Sequence, residues 1–356
     1  HDEVTFAFKI TISDMALRQI IKSLQTNICL FTMTVALAAC KPENKLAISE
    51  PDQGVEITID RLDQQWFEMS AVDFRKKHNK WQATYGSLYQ HYVEDVLSLG
   101  SVNDSNLFTS IRRFTTDPAI AEVQDSVQRV FPELSDLEEA FSTAWNYYQY
   151  YFPDKKAPLH LSFIGGFNTP AALSKEGIGI GLEMFLGKNT AFYEYLQLPV
   201  YLRQNMTPTH LVPTVLRGWI QSEFPQKEIT PTLIQTIISE GKVLYAMDAI
   251  FPFHHDSLKI NYTGDEIKWA DQHQKYVWAH FIDNELLFST DPKTIQKFTS
   301  DGPFTVDLVK ESPSRMGHYI GWQIVRHFMD RQDTIDMPAL MKTDTETILN
   351  KSKYKP

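Results

Sequence analysis

The chain has 356 residues, 43% hydrophobic and 12% aromatic, with a formal net charge of −10. Those proportions exclude an intrinsically disordered chain, and the acidic balance without a basic stripe interleaved with aromatics argues against a nucleic-acid role. No apolar run after residue 40 reaches the ~18 residues that mark a membrane-spanning helix, and no internal repeat or low-complexity tract is present.

The amino-terminal end reads as a processing segment. Arg18 and Lys22 precede an apolar stretch from Ile28 to Ala39, which closes on Leu37-Ala38-Ala39-Cys40. A positive region, a short apolar run and a small-residue site make a secretory signal, and the cysteine makes it a lipoprotein signal. Met15 then marks the start, residues 1–14 are an over-extended reading frame, and 15–39 are removed. Cys40 becomes the acylated first residue, carrying diacylglycerol and a palmitate-type N-acyl chain, enough for stable membrane anchoring. Cys29 falls in the removed part, so the mature chain is expected to carry no structural disulfide or thiolate metal site. Lys41, in place of an aspartate, favours the outer membrane. Residues 40–55 are expected to be a tether and 56–356 a single globular domain, helical to about residue 157, with a core over about 158–330.

Asp60 to Tyr92 predicts one or two amphipathic helices with Leu62, Trp66, Phe67, Phe74, Trp81 and Tyr85 facing the core. Asp117-Pro118 opens another, proline being tolerated at the first helical position. Ser135-Asp136-Leu137-Glu138 predicts a capping box ahead of Phe141, Ala144, Trp145 and Tyr148. The cluster Tyr147 to Phe152 admits two readings, a helix packed on the core or a sugar platform, and helical spacing favours the first. Beyond Pro158, Leu159–Ile164 and the glycine-alternating Gly177–Phe185 predict two strands, hence a small antiparallel sheet in a mainly helical α+β domain. Thr207-Pro208, Thr230-Pro231, Asp291-Pro292 and Ser312-Pro313 each predict a helix start. Gly317 and Gly321 lie one turn apart, which lets a neighbouring helix approach closely. Glu266–Asn284 predicts a further amphipathic helix.

The order of strands and helices is that of zincin metallopeptidases, whose His-Glu-x-x-His helix and following glutamate hold zinc. The corresponding slots hold His210 and Glu240, but Leu211 stands at the general-base position and Thr214 at the second histidine. Pro213 further disturbs the turn that would align two ligands. The metal motif is absent, so no cofactor is expected. Glu240, Lys242 and Asp248 on one helix, with Arg217 on its predecessor, suggest a buried ion network. His254-His255-Asp256 and His318 are the remaining places for a rearranged metal site.

Several stretches carry a family likeness: Gly181–Gly187, Met206–Pro208 through Leu216–Trp219, Gly241–Tyr245, and Glu311–Pro313 through Gly321–Val325. With the lipobox, they make the chain resemble the gliding-motility lipoprotein family called GldB, found in the Bacteroidetes. That resemblance implies a degenerate relative of predicted zinc peptidases, working in the envelope machinery of surface gliding and linked to type IX secretion. The expected function is a non-catalytic lipoprotein, a pseudo-peptidase that binds a protein partner through a cleft lined by His210, Arg217, Glu240, Lys242, Asp248 and His318. A zinc peptidase with a rearranged site and a cell-wall glycan binder are the alternatives.

Overall fold

A computed structural model describes residues 45–356. The expectations for the leader, the signal segment, Cys29 and Cys40 lie outside the described residues. The first strand, β1 (Ile59–Arg61), runs directly into α1 (Leu62–Glu68), and Ser70 then starts α2 (Ala71–His91). Ser70 Oγ accepts a hydrogen bond from the Asp73 N–H at 3.2 Å, satisfying a helix-start donor that would otherwise be orphaned. Gly86 breaks α2 with φ of 45°, a conformation that favours glycine. Trp66, Phe74, Trp81 and Tyr85 are buried, as their spacing predicts.

α3 (Leu107–Thr115), α4 (Pro118–Val130) and α5 (Ser135–Tyr151) follow. Asp117 caps α4, its Oδ1 accepting from Ala119 N at 2.9 Å. The capping box expected at Ser135 does not form, because Leu134 occupies the cap position and Glu138 is used elsewhere. Glu138 Oε1 accepts from Ile59 N at 2.8 Å, Ser142 Oγ from Ile57 N at 2.9 Å, and Asn146 Oδ1 from Val55 N and Gln53 N at 3.1 Å. The three acceptors are spaced at i, i+4 and i+8 on one helix face. A helical turn rises about 5.4 Å, and two residues of extended chain advance about 6.6 Å. The two periods match well enough for alternate N–H groups of a strap to dock on α5. The stretch expected to be a tether therefore runs along this helix from Ile48, whose carbonyl accepts from the Tyr147 hydroxyl at 3.1 Å.

The sheet contains β1, β2 (Leu159–Phe163), β3 (Ala171–Leu173) and β4 (Gly177–Gly181) in the order β1-β2-β4-β3. It is small, as expected, but mixed: β1, β2 and β4 are parallel, and only β3 pairs antiparallel with β4. The helices between β1 and β2 form the long connection that a parallel pair requires. β4 is buried along its length, and its glycines admit neighbours from both sides. A Cβ on Gly179 would fall 2.7 Å from the Phe163 ring.

A short helical turn (Leu182–Phe185) leads to α6 (Ala191–Tyr195) and α7 (Val200–Arg203), then to the long α8 (Pro208–Glu223) and α9 (Leu233–Ile250). Thr232 caps α9 in a capping box with Gln235, two residues later than the expected Thr230-Pro231 start. α10 (Asp256–Ile260), α11 (Gly264–Asp283), α12 (Pro292–Thr299), α13 (Met316–Asp330), α14 (Met337–Lys342) and α15 (Thr345–Ser352) complete the chain. Ser312 does not cap α13: its Oγ accepts from Thr305 N, and the helix starts after Arg315 at φ of 56°.

α9 and α13 pack through their glycines. A Cβ on Gly321 would overlap the Ile237 carbonyl, and one on Gly241 would overlap the backbone of Gly321. This is the close approach that the glycine spacing predicts. It brings the amino-terminal turn of α13 beside the middle of α9.

Candidate functional site

Arg217 and Gln221 lie four residues apart on α8 and share a face. Both reach Glu240 on α9. Arg217 Nε donates to Glu240 Oε1 at 2.9 Å, and its Nη2 donates to the same oxygen. Gln221 Nε2 donates to Glu240 Oε2 at 2.9 Å. The ion-paired side chains are 10% and 11% exposed. Burial alone would raise the Glu240 pKa, but the charge of Arg217, with help from His318 and Gln221, holds it below the ordinary carboxylate value.

His318, in the first turn of α13, faces the same carboxylate. Its Nδ1 is buried and has no hydrogen-bond partner among the described residues. Burial pushes its pKa down to about 4 despite the attraction of Glu240, and Arg217 and Arg315 add to the drop. The ring is therefore neutral near pH 7. Arg315 is 8% exposed. Its Nη2 donates to the carbonyls of Ile260 and Asn261 at 3.1 and 3.2 Å. Its Nε lies 2.9 Å from Asp301 Oδ1, out of line for a hydrogen bond.

Arg217, Gln221, Asp301, Arg315 and His318 line a cleft of about 550 Å³, and Glu240 lies behind them. Phe167, Met184 and Met206 give the same cleft apolar surface, and the edge strand β3 contributes Ala171 and Leu173. A smaller cavity of about 200 Å³ touches Glu240, and Gln221 and His318 line both spaces. Chemically, the arrangement offers an apolar surface and a charge-compensated polar wall, while at the strand edge Thr169 Oγ1 bonds both the Ala171 N–H and its carbonyl. Such a site suits a polypeptide segment with mixed side chains.

Of the six candidate residues, Arg217, Glu240 and His318 come together. The other three are held elsewhere, for reasons of helix geometry. His210 lies two turns before Arg217, about 10 Å along α8, and its Nδ1 meets Thr207 Oγ1 at 2.7 Å. Lys242 is two positions beyond Glu240, hence on the far side of α9, where Nζ donates to the carbonyls of Met341 and Thr343. Asp248 belongs to a separate buried cluster. It accepts from Lys259 Nζ at 2.9 Å, from Trp322 Nε1 at 2.9 Å and from Arg326 Nε at 2.8 Å. Asp256 joins it through Arg326 Nη1 at 2.8 Å. Two carboxylates and two cations leave that cluster neutral and fully bonded, a structural knot between α9, α10 and α13.

The donor set does not fit a zinc ion. Glu240 has given both oxygens to Arg217 and Gln221, and a guanidinium stands against it, where a cation would have to bind. His210 is directed to Thr207, and His255 Nδ1 bonds Ser257. No group of three or more His, Cys, Asp or Glu side chains converges among the described residues, whereas catalytic zinc is held by about three protein ligands. Most of the aromatic cluster packs inward: Tyr147, Tyr148 and Phe152 are buried, with Phe152 5.2 Å from Phe224, ring centre to ring centre, whereas Tyr150 is 49% exposed and Tyr151 partly buried.

Four contributors lie outside the six candidate residues. Gln221 was within reach of it, since i+4 from Arg217 places it on the same face. Arg315 and Asp301 are joined to the site only by the tertiary packing of α13. Glu183, directly after β4, is fully buried. Its Oε1 accepts from Gly165 N at 2.7 Å and Phe167 N at 3.2 Å, while Oε2 has no partner among the described residues. Burial foremost pushes this carboxyl up to about 7. Glu183 thus ties down the loop that carries Phe167 into the cleft.

The chain folds as a mainly helical α+β domain with a small mixed sheet and an ion-paired cleft. The family model for gliding motility protein GldB matches residues 42–356. The chain belongs to the GldB family, the class of gliding motility lipoproteins. No curated protein and no solved structure matches it. Membership associates the protein with the cell envelope and the gliding machinery. Among the described residues, no helix is long and apolar enough to cross a membrane.

Proposed function

We propose that the protein is a non-catalytic lipoprotein of the gliding machinery, anchored through Cys40 at the outer membrane, whose cleft holds a segment of a protein partner. One observation carries this reading: Glu240 is neutralised by Arg217 and hydrogen-bonded by Gln221 while the cleft beside it stays open. A metal-dependent peptidase needs that carboxylate for its ion, and here it is committed to a guanidinium. An extended polypeptide pairing with the edge strand β3 would take the place of Thr169 Oγ1 on the Ala171 main chain. Glycan binding through Tyr148 has little support, because that side chain is 0% exposed.

Filling the cleft tests the reading in cells. Thr214→Trp and Gly218→Trp, both at the cleft wall, should abolish gliding while protein level and membrane fractionation stay unchanged. Cys40→Ala should move the protein out of the membrane fraction. Normal gliding by a folded, cleft-filled protein counts against the proposal, and continued membrane retention of Cys40→Ala counts against the anchor.

A further inference from the structure

A second concavity lies between the amino-terminal half of α5, the start of α8 and the end of α9, and encloses about 530 Å³. Its floor is apolar, made by the buried Val212, Pro213 and Ile250, and the exposed Ala140 also lines it. Its rim carries Glu50, Asp136 and Glu139, all exposed, and none of its lining residues is a lysine or arginine. Phe253, 69% exposed, stands at the mouth. His254 shares the lining, and burial followed by the charge of Lys259 lowers its pKa, so it does not offset the carboxylates near pH 7. Pro213 adds one more acceptor: lacking an N–H, it leaves the Thr209 carbonyl without its ordinary helical donor. Thr209 also lines the groove.

An apolar floor within a carboxylate rim complements a segment that is apolar on one face and basic on its flanks. The walls are helices, joined by the extended strap at Glu50 and the turn Phe251–His254, and no strand of the sheet borders the groove. A segment buried here must satisfy its own backbone, which a helix does. The net charge of −10 favours encounter with a basic partner. We propose that this groove docks a basic amphipathic helix of a protein partner, apolar face inward, with its lysines or arginines against Glu50, Asp136 and Glu139.

The test uses the full chain and a fluorescein-labelled 18-residue helical peptide of leucine and lysine, followed by fluorescence anisotropy. Saturable binding is expected. It should weaken at least tenfold in the triple variant Glu50→Lys, Asp136→Lys, Glu139→Lys, and at least tenfold in Ala140→Trp, which sets an indole against the groove. Ala140 and the three carboxylates are exposed, so circular dichroism should report an intact fold in every variant. Three results would overturn the proposal: no saturable binding, equal binding of a leucine–glutamate peptide, or undiminished binding by both variants. Sedimentation showing a homodimer that Ala140→Trp dissociates would also overturn it, by assigning the groove to a second copy of the chain.

Discussion

Arg217 approaches Glu240 with two of its nitrogens on a single carboxylate oxygen, leaving the second oxygen to Gln221. The pair is nearly buried, so removing one partner strands a charge. Arg217→Ala should cost about 3 kcal/mol in urea denaturation at pH 7, the low end for a broken buried pair. Without Arg217, burial raises the Glu240 pKa, so the deficit should shrink as the pH falls toward 4.5. Replacing both residues by methionine should cost less than either single change. A single Arg217→Ala variant as stable as the parent would show that the pair is solvated.

The glycine contact between α9 and α13 sets a second expectation. Because a Cβ on Gly321 would overlap the Ile237 carbonyl, Gly321→Ala must push the helices apart or unwind a turn. The cost should reach about 3 kcal/mol, the upper range for overpacking, read as a lowered melting temperature. Gly218→Ala is the comparison, since a Cβ there meets its nearest atom at an ordinary 3.7 Å.

Glu183 makes stability depend on pH. Its carboxyl is raised from 4.5 to about 7. Between those values the folded chain keeps a proton that the unfolded chain has released. Its contribution is therefore complete below pH 4.5, falls as the pH rises, and is gone above 7. Glu183→Gln retains an acceptor for Gly165 and Phe167 without the titration. Relative to the parent, it should gain up to about 3 kcal/mol between pH 4.5 and 8. Parallel pH profiles for the two proteins would contradict the burial assigned to this group.

The strap on α5 offers a local probe. Ser142→Ala removes the acceptor for the Ile57 N–H, which should cost about 1 kcal/mol. Amide exchange should speed up at Ile57 more than at Ile59, which keeps Glu138. Uniform acceleration along the strap would mean that it docks by packing alone.

Much of the helical framework could be read from the sequence, since Trp66, Phe74 and Trp81 repeat at helical spacing and Asp117 and Asp291 precede proline. The close packing at Gly321 was also visible, because glycine spacing is a local signal. The sheet was only half legible. The sequence of Ile59–Arg61 runs unbroken into α1, and nothing local shows that it pairs with β2. The cap at Ser135 failed because Glu138 serves a strap that lies about 80 residues earlier in the chain, a long-range bond without a sequence signature. The same limit governs the site. Arg217 and Glu240 could be paired from helix order, but Lys242 and Asp248 share α9 with Glu240 and point to other neighbours. Helical position divided them, and only the packing of α10, α13 and α14 showed where each one went.

Zinc titration by isothermal calorimetry, on protein purified without added metal, tests the central claim most directly. The Arg217–Glu240 pair predicts no stoichiometric heat, and no change on Glu240→Gln or His318→Ala. Binding of one zinc at or below about 10⁻⁶ M, abolished by those same substitutions, would contradict it.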